Sequence, residues 1–392
     1  MTSVAILFSL ALKGQRSTFR GIVEYAAEHG PWFCHFQEGR TGARMLDFAR
    51  TGVSGVIVSG VSRADAPEIA ALGVPVVFVE PWDEMLAPDF PIRGAPYVRR
   101  DSRAIGAMAA RYYLERGYES FAFVGEPRRY PWSEARRRGF EETLAAAGLG
   151  CAAYDRFTAR DRTDWPGERN RLVAFLRGLP RPTAVFAPMD ARARLVLEAC
   201  AVAGLRVPEE IAVLGVDNDP LLCESTAPTL SSIHTGGFRR GWIAAEMLDA
   251  LLHGREPRER AVSLPPLSVV TRSSTGYAAM TDPSISRAVS YIRRHARGGG
   301  IGVGDIVRAA GCSRRYLELR FRSRLGRSIR DELLGERLEW VKTLLSSTNL
   351  PIGEVTRRAG FARESHLGLL FRKATGATMR QWRRENHETP EE

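Results

Sequence analysis

Several short apolar runs in the first 275 residues end in side chains equipped to grip hydroxyl groups. Asp190 follows the run at 184–187, Asp217-Asn218 follows 211–216, and Asp101 comes just after Val98. Arg136 lies in the first turns of the helical window after Phe121 to Gly125. Vicinal hydroxyls of a polyhydroxylated ligand donate to carboxylates while their oxygens accept from a guanidinium, and hydrogen bonds to charged groups contribute about 1.5–3 kcal/mol each. Taken singly, an Asp at a strand-to-helix junction reads first as an N-cap worth about 1 kcal/mol. As a converging set, three carboxylates, an amide and a guanidinium point to a ligand site. Trp165, Trp132 and Phe19 could offer a stacking face to a sugar ring, although aromatic residues at helical positions are more often core.

The elements that must position these groups alternate regularly. Strand candidates span 4–9, 53–59, 74–79, 120–124, 183–187, 211–216 and 231–234; helix candidates span 18–29, 102–116, 133–147, 191–203 and 238–252. Near-continuous apolar strands separated by amphipathic helices indicate parallel sheet covered on both faces. About 270 residues of this pattern suit two doubly wound lobes, in which ligands sit beyond the carboxyl ends of the strands.

The last hundred residues carry a different pattern, and carry it twice. Ile306, Ala310-Gly311, Leu317, Phe321 and Gly326 recur as Val355, Ala359-Gly360, Leu367, Phe371 and Gly376. An apolar anchor, a small-residue corner, then Leu and Phe four apart on one face describe a helix, a tight turn and a second helix. The offset grows from 49 to 50 at Phe361-Ala362, one residue added at the turn. Charge is localised on the same segment: residues 281–392 hold 22 Lys+Arg against 13 Asp+Glu, a net of +9 out of +11 for the whole chain, leaving +2 for the preceding 280 residues. Such a confined basic excess fits a surface that replaces counterions on phosphates. With only three lysines in the chain, the abundance of Arg itself carries no weight.

Composition narrows the remaining classes. A length of 392 residues allows two or three domains, each able to bury a core. Five scattered cysteines without C-x-x-C spacing argue for a reducing cytoplasm and against a disulfide framework or zinc site. The apolar opening at 4–10 lacks a basic leader and reads as a buried strand, and no run approaches the roughly twenty apolar residues of a membrane helix. Gly298 to Gly304 has neither a preceding strand nor a following Gly-Lys-Ser/Thr, so it reads as a flexible turn and not a phosphate cradle. The seven histidines show no metal spacing, and no nucleophile–base pairing stands out. No cofactor is expected.

The run from Val98 through Asp101, Ser102 and Gly106 to Gly117-Tyr118, with Phe121 to Gly125, resembles the sensor domain of LacI-type repressors. So do Ser133-x-x-Arg136-x-x-Gly139-Phe140, Pro208 to Asn218 with Gly215 and Asp217, Leu230 to Ile233 leading to Gly241 and Leu248, and Arg272 to Thr275. This resemblance implies an α/β two-lobed periplasmic-binding-protein-like (type I) sensor, with sugar contacts at Asp101, Arg136, Asp190 and Asp217 and with Asn218 adjacent. LacI-type proteins carry their DNA-binding segment at the amino terminus, whereas here residue 4 already opens a strand. The reader lies at the other end: 301–326 and 350–376, joined by a helical 328–345, resemble the all-α double helix-turn-helix domain of AraC/XylS-type regulators, most diagnostically at Gly360-Phe361 and from Gly376 to Arg384.

Together these resemblances imply a sensor over 1–276, a linker at 277–284, a DNA-binding domain over 285–386 and a tail at 387–392. They further imply operator DNA and a small sugar effector, xylose or a related monosaccharide, as partners, with RNA polymerase and a second copy of the chain as others, and no membrane. Ligand closure of the lobes would alter presentation of the readers. Recognition helices are expected to begin near Ser313 and Ala362. They would present Ser313, Arg314, Arg315 and Glu318, and Arg363, Glu364, Ser365 and Gly368, to the major groove about one DNA turn apart. Arg314 and Arg363 could instead contact phosphate only, and Glu318 could pair with a neighbouring Arg. The competing class is an enzyme with a sugar- or nucleotide-processing domain tethered to DNA, which would need an acid–base pair that the sequence does not display.

Overall fold

The computed structural model describes residues 2–11, 13–37, 52–126, 130–154, 165–275, 282–298 and 300–386. The side chain of Trp165, most of the expected linker and the tail from 387 lie outside the described residues. Strands run β1 (Thr2–Leu7), β2 (Trp32–Gln37), β3 (Gly55–Val58), β4 (Val76–Val79), β5 (Tyr97–Arg100), β6 (Phe121–Val124), β7 (Ala152–Tyr154), β8 (Thr183–Phe186), β9 (Ile211–Val216), β10 (Ser231–His234), β11 (Ala261–Leu264) and β12 (Ser268–Val270). The main helices of the same region are α1 (Lys13–His29), α2 (Ser102–Leu114), α3 (Pro131–Ala145), α4 (Trp165–Gly178), α5 (Asp190–Ala203) and α6 (Gly237–Leu252).

The chain divides into two units, Met1–Asp101 with Thr235–Pro266, and Ser102–His234 with Leu267–Glu392, so it crosses between them three times. The first unit contains a parallel sheet in the order β11-β5-β4-β3-β1-β2. The second contains β12-β10-β9-β8-β6-β7, parallel except for β12, which runs antiparallel to β10. This is the expected pair of doubly wound lobes. Burial explains the unbroken apolar runs: in β1, Val4 and Ile6 pack on one face and Ala5 and Leu7 on the other, all within the core. The strands that periodicity did not reveal lie mostly at sheet margins; among the described residues β2 pairs only with β1 and leaves Phe33 exposed.

Helix crossings depend on missing side chains. A Cβ on Gly106 of α2 would lie 1.9 Å from the Arg136 carbonyl oxygen, and one on Gly139 of α3 would lie 2.0 Å from that of Arg103. Gly21 of α1 and Gly241 of α6 repeat this device in the first unit.

The carboxyl-terminal region comprises α7 (Pro283–His295), α8 (Val303–Ala310), α9 (Arg314–Leu325), α10 (Ile329–Ser347), α11 (Ile352–Arg358), α12 (Glu364–Thr375) and α13 (Met379–Asn386). Two small cores are strung along α10. Its first half contributes Ile329 and Leu333 to a cluster with Ile306, Leu317 and Phe321; its second half contributes Val341 and Leu345 to one with Val355, Leu367 and Phe371. Gly311 and Gly360, with φ of 67° and 76°, make the two corners in a conformation that costs glycine little.

Two boundaries differ from expectation. Asp282 caps α7 by accepting from Ser284 N at 2.9 Å and Pro283 is its first residue, so a helix already opens within the residues expected as linker. The second recognition helix starts at Glu364, not near Ala362, because the residue inserted in the corner moves the cap to Arg363. Among the described residues no helix is long and apolar enough to cross a membrane.

Since Gly106 touches backbone and not a movable side chain, Gly106→Ala should destabilise the protein by about 3 kcal/mol, at the upper end for overpacking. Gly150→Ala, with nothing within 4 Å of the new methyl, should be close to neutral. Thermal unfolding of both variants checks this, and equal melting temperatures would refute the tight crossing.

Candidate functional site

The carboxyl end of β9 holds an unusual backbone. Among the described residues, only Glu80, Asp217 and Asn218 are non-glycine residues with positive φ, at 52°, 103° and 51°. Adjacent strained residues persist only where their surroundings over-determine them, and such strain gathers at functional sites. Here Asp217 N donates to the Ile233 carbonyl at 2.9 Å and Asn218 N to Ser232 Oγ at 2.9 Å.

Asp190, the first residue of α5, underpins this turn. Its carboxylate accepts from Ser232 Oγ, from Asp219 N at 2.8 Å and from the Cys223 thiol at 3.5 Å. Gly215 is required beside it, because a Cβ there would lie 2.3 Å from Asp190 Oδ1. Complete burial, with the negative charge of Asp217 second, pushes the Asp190 carboxyl up to about 7, against hydrogen bonds that favour its ionised form. Asp190 therefore supports the turn from behind, with 1% of its surface exposed, whereas Asp217 and Asn218 are half-buried.

Arg136 is buried on α3. It donates to the carbonyl of Pro188, two residues before Asp190, and its guanidinium lies 4.9 Å from the Trp132 ring centroid. The second unit thus brings together Arg136, Asp190, Asp217 and Asn218, with half-buried Trp132 alongside Arg136. Asp101 is the last residue of the first unit, where its N–H donates to Leu264 O at 2.8 Å. Phe19 packs edge-on against Phe36 in the core of that unit.

The first unit holds a charged cluster that sequence reasoning missed. Glu80 follows β4 directly and accepts from Arg100 Nε at 3.1 Å, with Arg240 Nη1 also at 3.1 Å. Arg240, 1% exposed on α6, donates to Thr18 Oγ1 and, at 2.6 Å, to Gly14 O. The signal was available: Glu80 follows an apolar run as Asp217 does, and Arg240 interrupts the apolar face of a helix.

One hydrogen-bonded path leads from the strained pair toward the reader helices. Arg272 donates through Nη2 to Asn218 Oδ1 at 2.9 Å and through Nη1 to Leu230 O at 3.0 Å. The segment after β12 is fastened to the sheet through Ser274, whose N–H donates to Thr229 O and whose hydroxyl donates to Val213 O at 2.6 Å. On its other side Arg297 donates to Thr271 O at 3.1 Å and Arg293 to Thr275 O at 2.7 Å. Those two arginines meet α10: Arg297 sits 5.0 Å over Trp340 and Arg293 lies 3.5 Å from Glu336.

In the readers, Leu317 and Phe321, and Leu367 and Phe371, are fully buried, so the opposite faces are left to solvent. Arg314, Arg315, Arg363, Glu364 and Ser365 are exposed. Ser313 caps α9 by accepting from Tyr316 N at 3.3 Å, and Glu364 stands in the first turn of α12, where its charge suits the helix dipole. Glu318 is half-buried with Arg314 4.0 Å away, the surface pairing weighed from sequence. Gly368, at the equivalent position, would set a Cβ 3.9 Å from Met379, which places it toward the core.

Known proteins share this arrangement. The model of a periplasmic binding protein-like domain matches residues 110–275 and that of a helix-turn-helix domain matches 306–385. The xylose operon regulatory protein of Escherichia coli K12 is 31% identical over 98% of this chain and 97% of its own length, and that of Haemophilus influenzae is 32% identical over 74% of each. The structure of the xylose-binding transcription activator xylR superposes with a TM-score of 0.61 at 31% identity, covering 98% of both chains. A ribose-bound LacI family regulator from Enterococcus faecium, 20% identical with a TM-score of 0.56 over 70% of this chain and 98% of its own, shares the sensor fold. The chain therefore belongs to the family of xylose operon regulatory proteins, which are transcription regulators and not enzymes.

Proposed function

We propose that this regulator answers to a monosaccharide, xylose or a close relative, held at the carboxyl end of the second sheet. Occupancy there is passed to the DNA readers through Arg272. Asp217, Asn218 and Arg136 offer the acceptors and donors that sugar hydroxyls need, and Trp132 offers an apolar face. The xylose in the names of its relatives supports the choice of effector. The observation that carries the reading is the bond from Arg272 to Asn218, because the same short segment that holds the strained turn also receives Arg293 and Arg297 from the reader domain. A reducing interior suits five cysteines that are all free thiols.

Asp217→Ala should abolish sugar binding while leaving promoter affinity without sugar within about twofold. A monosaccharide panel read by thermal stabilisation tests this, since a ligand at a hundred times its Kd adds about 2.7 kcal/mol; undiminished stabilisation of the variant would exclude the site. Arg272→Ala should keep sugar binding yet lose most of the sugar-dependent change in promoter affinity. Full coupling in that variant rules out the path.

Protonation offers an independent check on the support of the turn. The fold holds the Asp190 proton up to about pH 7, whereas an unfolded chain releases it near pH 4. This group's contribution to stability is therefore complete below about pH 4 and is lost as pH rises toward 7. Relative to wild type, Asp190→Asn should gain stability between pH 4 and pH 8, by at least about 2 °C in Tm. A constant difference across that range would contradict the burial of a titrating carboxyl.

A further inference from the structure

Two exposed leucines on the reader helices have no role in the fold. Leu319 on α9 is 67% exposed and Leu369 on α12 is 69% exposed, although Leu317 and Leu367, two residues earlier, are fully buried. A single exposed leucine on a protein surface is ordinary. These two, however, occupy the same position of the duplicated unit, fifty residues apart, while the residues around them have diverged: Glu318 and Arg320 in the first copy are Gly368 and Leu370 in the second. Each also stands in the middle of a polar stripe. Residues three and four apart are neighbours on a helix, so Leu319 lies between Arg315 and Arg322, and Leu369 between Ser365 and Arg372, all of them exposed. Leu369 further lines a shallow groove with Ala362, Arg363, Ser365 and His366.

An apolar side chain with an arginine beside it in a polar stripe suits a polyanion that presents a small apolar group. Among the base edges of the DNA major groove only thymine does so, through its 5-methyl group; guanine, adenine and cytosine offer hydrogen-bonding atoms alone. We infer that Leu319 and Leu369 are thymine readers, each packing against a thymine 5-methyl in its half-site while the flanking arginines hold phosphates or guanine edges. The inference rests on the DNA-reading function above and adds the base that each helix selects.

Deoxyuridine tests this directly, because it removes the methyl and nothing else. Full-length protein would first select its preferred duplexes from a random library, and each thymine of the selected site would then be replaced singly. One or two positions under each reader should lose affinity about fourfold, the worth of one methyl-sized group withdrawn from contact. Leu319→Ala should erase the loss under the first reader and leave that under the second, with Leu369→Ala doing the reverse. Salt dependence should be unchanged in both, since no phosphate contact is removed. Both side chains are exposed, so unaltered melting temperatures will show that the variants fold.

Specific binding that ignores every deoxyuridine, or leucine variants that keep the full methyl dependence, would overturn the assignment while DNA reading stands. Alanine variants that bind as wild type but fail to support transcription would place the leucines against RNA polymerase and overturn it equally. Failure to select any duplex would overturn the DNA-reading function as well, a result distinct from the others.

Discussion

A carboxyl group sealed from water is costly unless donors surround it, and the donors that surround Asp190 are the backbone and side chains in and around the turn that follows β9. Ser232, Asp219 and Cys223 all point to it, and two of those residues flank or hold the strained Asp217-Asn218 pair. Satisfying one buried carboxyl group thus fixes the φ values of the half-buried pair. Gly215 is small because this carboxylate must fit against it. Several separate motif residues in the sequence are accordingly consequences of one buried group.

Much of this was legible in the amino-acid order, for identifiable reasons. Strands covered on both faces are apolar without interruption, so β3, β4, β6, β8 and β9 could be read directly, whereas β2 and β11 at the sheet margins were hidden by mixed composition. The rule that ligands gather at strand carboxyl ends pointed to the turn after β9, where Asp217 and Asn218 take positive φ. It could not separate an outward carboxylate from an inward one, because that depends on Ser232, forty-two residues from Asp190. The same rule applied to β4 leads to Glu80, and an arginine within an apolar helix face leads to Arg240. Their pairing spans the chain and has no local signature.

The duplicated reader was visible because its packing positions are local, four residues apart on one helix. Its starting points were less so. A single inserted residue shifted the second cap to Arg363, which contributes no side-chain capping bond, unlike Ser313 in the first copy. The first reader is further tied to its domain by Tyr316 and Arg320, which both meet Asp282 at the cap of α7. His366 and Leu370 stand at the matching positions of the second reader, which therefore lacks these polar side chains.

The helix α10, 19 residues and about 28 Å long, belongs to both reader cores at once. Neither core can slide along it without emptying its own packing sites, so the separation and phase of the two recognition surfaces are set by covalent length and not by a hinge. Promoters served by this protein are correspondingly constrained: one added base pair between their half-sites turns the second target roughly 34° about the duplex axis. Spacer drift in such promoters is tolerable only where the DNA itself twists to compensate.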